Sequence, residues 1–398
     1  MGDLLDATIK SNKHRARVYD PFAGSGTALT EAMMRGLDFD GQDINPMAVL
    51  LCKAKVIPFF DVALNEKQLQ IVAAAKSDRK CSIECNFVGR QKWFKPGVCL
   101  ELSRVRRAIR SESSLWARRF FWIALAETVR LTSNSRTSTF KLHIRSQSDI
   151  DSRSSSPLAV FEQVAKRNVD LLRAQKIVLE EAGHLDRGRY LGTVNVNIAN
   201  SVATSPVVGT KQRFDILVTS PPYGDNASTV PYGQHSYLPL QWIDLKDIDP
   251  AIDTTCLSTT HEIDHRSLGG SRKNTKAAVV SLRDRSAALS DTLDGLKDAP
   301  KDRTSRVVAF CRDLDKSLDP VIKAMRSDAV MIWILGNRRV GGKVVPLDRI
   351  LSELLIDRGA RAVTILKRDI PSKRMAVRNN VAATMRTESI VVLRKGLR

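Results

Sequence analysis

The chain has 398 residues, with 63 Lys and Arg against 43 Asp and Glu, a net charge of +20. That length suits one large domain with insertions or two domains, and no window approaches the roughly 20 apolar residues of a membrane span. The first residues lack the apolar core and cleavage site of a secretory signal, and six scattered cysteines suit reduced thiols in a cytoplasm rather than a disulfide framework.

The positive excess favours a polyanionic partner, nucleic acid first. Cys81, Cys85 and Cys99 lack a second ligand pair and a nearby histidine, and the six histidines show no ligand spacing, so no metal is expected.

In chain order, Arg17-Val18-Tyr19-Asp20 reads as the end of a short strand. A glycine turn follows, then a helix over 28–35 stopped by Gly36. Residues 39–43 read as a second strand and 48–55 as a second helix. This order begins a doubly wound α/β sheet. Residues 64–76, 98–110 and 115–131 carry helical patterns, 133–157 reads as a Ser-, Thr- and Arg-rich loop, and 158–183 as one long amphipathic helix. Strands return at 193–198 and 214–219. Residues 250–305 are polar and read as loops and exposed helices. A helix over 306–325, a strongly apolar strand over 329–335, a helix over 347–358 and strands over 361–367 and 388–394 close the chain.

Two motifs carry chemistry. The first is Asp20-Pro21-Phe22-Ala23-Gly24-Ser25-Gly26-Thr27. Glycines at 24 and 26 let the backbone approach a ligand, and the following helix offers unpaired N–H groups and a positive end. The third glycine of a dinucleotide fingerprint is missing, and no Gly-Lys-Ser/Thr makes a P-loop. Asp43, about 20 residues beyond, stands where an acid accepts ribose hydroxyls. Asp20 is expected to face the cationic end of a sulfonium cofactor. The plainer alternative has Asp20 cap the helix and Asp43 end a strand.

The second motif is Thr219-Ser220-Pro221-Pro222-Tyr223-Gly224-Asp225-Asn226, delivered by the buried run Phe214-Asp215-Ile216-Leu217-Val218. An exocyclic amine is a poor nucleophile because its lone pair is delocalised into the ring. Acceptors on its protons draw the nitrogen towards tetrahedral geometry. Ser220 and the Pro221 carbonyl can supply them, Pro221 and Pro222 stiffen the turn, and Tyr223 can stack on a flat base. An ordinary rigid turn is the plainer alternative. No Pro-Cys pair supports methylation at cytosine carbon 5.

The first motif, followed by Gly41-Gln42-Asp43-Ile44-Asn45-Pro46, resembles the S-adenosylmethionine site of the DNA amino-methyltransferases. The resemblance implies that Asp20 to Thr27 line the cofactor, that Asp43, Ile44 and Asn45 hold its ribose end, and that Ser220, Pro221, Pro222 and Tyr223 methylate a base flipped from double-stranded DNA. Ser at 220 is similar to the cytosine-N4 enzymes; Asp is commoner among adenine enzymes. A cognate restriction endonuclease is a candidate partner.

The implied fold is a class I methyltransferase, Rossmann-like and mostly parallel, with a helical and a polar recognition insertion. It divides as core over 1–60, helical insertion over 61–190, core over 191–245, recognition insertion over 246–325 and closing strands over 326–398. Family members usually carry a helix over the cofactor's methionine end, and the 19 residues before Asp20 offer no match.

Arg338, Arg339, Lys343, Lys373 and Arg374 follow strand ends and are the favoured phosphate contacts. Arg368, Arg378 and six arginines of 104–119 are further candidates. Tyr232 is expected in the base pocket, Trp242 in packing, and Asn337 closing a pocket. Rival readings are an adenine-N6 enzyme, an RNA enzyme methylating a guanine or adenine amine, an inactive nucleic-acid-binding relative, and a dinucleotide oxidoreductase.

Overall fold

A computed structural model describes residues 1–9, 15–203, 213–370 and 387–396. Its centre is a seven-stranded sheet. In chain order the strands are β1 (Arg17–Asp20), β2 (Asp38–Asp43), β3 (Val194–Ile198), β4 (Phe214–Thr219), β5 (Met325–Leu335), β6 (Arg361–Asp369) and β7 (Thr387–Arg394). Their spatial order is β6-β7-β5-β4-β1-β2-β3. β7 runs antiparallel to both neighbours and the other pairings are parallel. This is the Rossmann-like sheet of class I methyltransferases, with the order reversing direction at β1. Ligands of such sheets sit beyond the carboxyl ends of the strands at that reversal, where both motifs stand.

Side chains alternate between the two faces of each strand, and two cores result. In β5, Ile332 and Ile334 join one core, and Met331, Trp333 and Leu335 the other. The first face is covered by α1 (Gly2–Ile9), α2 (Thr27–Met33) and α3 (Pro46–Lys55). Four longer helices pack beyond them: α4 (Asp61–Ser77), α5 (Pro96–Ser111), α6 (Leu115–Thr132) and α7 (Pro157–Glu181). Next comes α8 (Tyr232–Trp242), packed on α6 and α3. The second face carries α9 (Thr275–Arg285), α10 (Ala287–Gly295), α11 (Lys301–Ala324) and α12 (Leu347–Asp357).

The reading of 250–305 as loops and exposed helices is corrected here. Leu282, Leu289, Leu293 and Leu296 are buried in the second core. A helix needs only one apolar residue per turn to dock, so its composition stays polar while its inner stripe is buried. The expected loop over 133–157 contains a short helix, Gln147–Ser152.

Of the six arginines of 104–119 only Arg110 is exposed, and the other five are half-buried. Arg106 and Arg107 pair with Glu84, and Arg107 also with Asp78. Arg118 forks onto Asp247 through 2.8 Å bonds, and Trp122 Nε1 donates to the same carboxylate at 2.7 Å. These charges fasten α5 and α6 to the segments beside them. No helix among the described residues is long and apolar enough to cross a membrane.

Candidate active site

The first turn starts where β1 ends. Gly24 and Gly26 take φ of 51° and 78°, the left-handed region costly to residues with a Cβ. At Gly26 a Cβ would also lie 2.9 Å from Cys52 Sγ. Asp43, at the end of β2, closes the turn from the side. Its Oδ2 accepts from the Gly24 N–H at 2.8 Å and its Oδ1 from the Asn45 N–H at 2.8 Å. Burial raises its pKa above the ordinary carboxylate value. Asn45 caps α3 by accepting from the Met47 N–H and donates to Ser236 Oγ on α8 at 2.8 Å. Ser201, beyond β3, accepts from Gln42 Nε2 and donates to the Pro21 carbonyl.

β4 is buried throughout, and Ser220 emerges exposed at its carboxyl end. Ser220 Oγ lies 3.2 Å from Tyr223 Oη, which donates to Glu388 Oε1 at 3.0 Å. Burial raises the Tyr223 pKa, so the phenol keeps its proton. Beyond the prolines, Asp225 holds the loop, with Arg338 at 3.2 Å and Arg306 at 3.5 Å. The Arg338 guanidinium lies against Gly224, so a Cβ there would require the guanidinium to shift.

One cavity of about 650 Å³ joins the two motifs. Its wall includes Pro21, Phe22, Gly24, Ser25, Asp43, Ile44 and Asn45 from the first, and Ser220, Pro221, Pro222 and Tyr223 from the second. Asp20 is not on that wall. Its Oδ1 accepts from Thr219 Oγ1 at 2.6 Å and from the Phe22 N–H at 3.0 Å, so it ties the roots of the two motifs together. Burial pushes its pKa up to about 7. Ala23, Gly26 and Thr27 shape the turn from behind the lining.

Tyr232, half-exposed at 51%, lines the cavity, and Trp242 is fully buried in the first core. Asn337 instead donates to Asp348 and accepts its N–H, holding the start of α12. Arg339 and Lys343 are exposed on the hairpin Arg338–Val340 and Lys343–Val345, away from the lining. Lys373, Arg374 and Arg378 lie outside the described residues.

Several lining residues escaped the sequence reading. Ile123, Glu127 and Arg130 come from α6, His235 from α8 and Glu388 from β7. Glu127 and Arg130 pair through bonds of 2.7 and 2.8 Å. Their i,i+3 spacing on one helix face was the available signal.

The chain is 30% identical to the type II methyltransferase M.MvaI of Kocuria varians over 417 aligned residues, covering 98% of this chain and 87% of the relative. It belongs to the type II methyltransferase family. Members of the family take their methyl group from S-adenosylmethionine, and the cavity fits it. Gly24 brings backbone to the wall without a Cβ. An ionised carboxylate offers about four acceptor positions; Asp43 has open ones beyond its two turn bonds for the ribose hydroxyls. Apolar Ile44, Met47, Leu51 and Ile123 can flank a flat ring.

No family model matches the chain. Two solved structures of the rRNA methyltransferase aviRa from Streptomyces viridochromogenes are 11% and 12% identical. They cover 99% and 98% of this chain and 82% of that one, with TM-scores of 0.30 and 0.29. At those scores the overlays bear no weight on fold or substrate.

Proposed function

We propose that this methyltransferase acts on double-stranded DNA, transferring a methyl group to the exocyclic amine of a flipped base, cytosine N4 in particular. It is then the modification enzyme of a restriction–modification system. The observation that carries this is the shared cavity, with Gly24 and Asp43 on one wall and Ser220 to Tyr223 on another. The type II relative across nearly the whole chain supports DNA over RNA as substrate.

S-adenosylmethionine supplies an electrophilic methyl carbon on a sulfonium. The chain does the rest by placement. Asp43 accepts the ribose hydroxyls, and Ile44 and Asn45 border that end. Ser220 Oγ and the Pro221 carbonyl accept the two amine protons, localising the lone pair on nitrogen. Tyr223 and Pro222 bound the flat base. Flipping costs a few kcal/mol, offset by flanking phosphates held by exposed cations, with Arg339 and Lys343 the candidates. The segment 246–325 reads the target sequence through its exposed faces, its inner stripe being committed to the second core.

The test uses purified protein, methyl-labelled donor and plasmid DNA, followed by nucleoside mass spectrometry. N4-methylcytosine is expected. N6-methyladenine moves the assignment to the adenine enzymes, and label in RNA alone overturns it. Ser220→Ala and Tyr223→Ala should abolish transfer with donor binding retained; full activity in both refutes the catalytic turn.

A further inference from the structure

We propose that Glu388 sets the direction of hydrogen bonding through the catalytic turn and is the end point for the proton released on methylation. The inference rests on the reading of Ser220 to Tyr223 as the amine-binding turn.

Glu388 stands 165 residues beyond Tyr223, near the start of β7. Its side chain lines the cavity and is 15% exposed. One carboxylate oxygen accepts from Tyr223 Oη; the other is held by Arg368, its cross-strand partner on β6. Both carboxylate oxygens are therefore engaged as acceptors, one from the phenol and one from the guanidinium.

The consequence follows from counting protons. A phenol has one, and that of Tyr223 is committed to Glu388. The 3.2 Å contact between Tyr223 Oη and Ser220 Oγ then has one sense: the serine donates and the phenol oxygen accepts. Both serine lone pairs remain for the cavity. An amine presents N–H donors, so the turn meets it with an acceptor. Without Glu388 the tyrosine could donate to the serine, whose hydroxyl proton would then point at another donor.

The same chain carries the product proton. The amine nitrogen forms a bond to the methyl carbon as the carbon–sulfur pair returns to sulfur, leaving nitrogen with one proton too many. That proton passes to Ser220 Oγ, the serine proton to Tyr223 Oη, and the phenol proton to Glu388. The carboxylic acid formed releases it to solvent. One proton leaves per methyl group, and Ser220 and Tyr223 end as they began. Glu388 is a positioning residue, acting through Tyr223 and Ser220.

Glu388→Gln keeps the shape but replaces one acceptor oxygen with an N–H donor. In single-turnover assays on DNA with saturating donor, it should slow methylation by about 100-fold or more. Donor and DNA affinities and the melting temperature should stay at wild-type values. Glu388→Asp should recover part of the rate. In a Tyr223→Phe background, Glu388→Gln should cost little more, because one chain is already cut.

A Glu388→Gln rate within threefold of wild type, or losses that multiply in the double variant, overturns the proposal. So does a loss matched by equally weakened donor binding or a lowered melting temperature. Ser220→Ala separates the two readings: if it is inactive while Glu388→Gln is fully active, only the role of Glu388 falls. Wild-type protein that methylates no DNA amine removes both.

Discussion

Asp20→Asn tests the link between the two motifs. Asp20 is 4% exposed, and burial carries its pKa from an ordinary 3.8 to about 7. At about 1.4 kcal/mol per pH unit, ionising it in the folded chain costs on the order of 4 kcal/mol. The folded pKa lies above the unfolded one, so the folded chain binds more protons between about pH 4 and pH 7. The contribution is fully present below about pH 4 and is lost as pH rises through about 7. Between pH 5 and pH 8 the wild type gives up about 3 kcal/mol from this group. Asn cannot ionise and lacks that descent. Thermal melting of both proteins from pH 5 to pH 8 measures the difference. The wild-type curve should fall more steeply between pH 5 and about pH 7, the variant gaining on it over that range, and the gap should stop widening above it. Parallel curves would show that Asp20 is solvated or already paired when charged, and would refute the reasoning.

Gly26→Ala places a Cβ at positive φ and 2.9 Å from Cys52 Sγ; it should cost about 2 kcal/mol and weaken donor binding by calorimetry. Gly359→Ala, at φ 82° in open space, should cost about 1 kcal/mol and leave donor affinity alone. Asp247→Ala strands the Arg118 guanidinium and the buried Trp122 N–H. It should destabilise by about 3–5 kcal/mol in denaturant melts, and a change under 1 kcal/mol would show that water replaces the carboxylate. Arg339→Ala and Lys343→Ala should each weaken DNA binding across sequences and reduce the salt slope by about one. An unchanged slope removes that hairpin from the interface.

The sheet was legible because its strands are short apolar runs ending at chemically distinctive turns. Buried β4, followed at once by Ser220, Pro221 and Pro222, could be read residue by residue. Glycines 24 and 26 were legible for the same local reason, and Asp43 by its spacing from them, at the end of the next strand. α1 and α8 were not read. α8 contains Pro239 and polar residues, and its burial against α3 and α6 comes from partners far away in sequence. The burial of 275–296 was missed because docking depends on which stripe faces the sheet.

Sequence alone determined the class of fold and the place of the two turns, since local backbone chemistry and spacing specify them, while the methyl donor followed from the resemblance that the first motif carries. Tertiary structure decided that Asp20 braces Thr219, that Arg338 belongs to Asp225, and that Glu388 reaches Tyr223. Those pairings join residues 199, 113 and 165 positions apart. Only the order in which the strands pack brings such groups to the same sheet edge, and no local pattern records it.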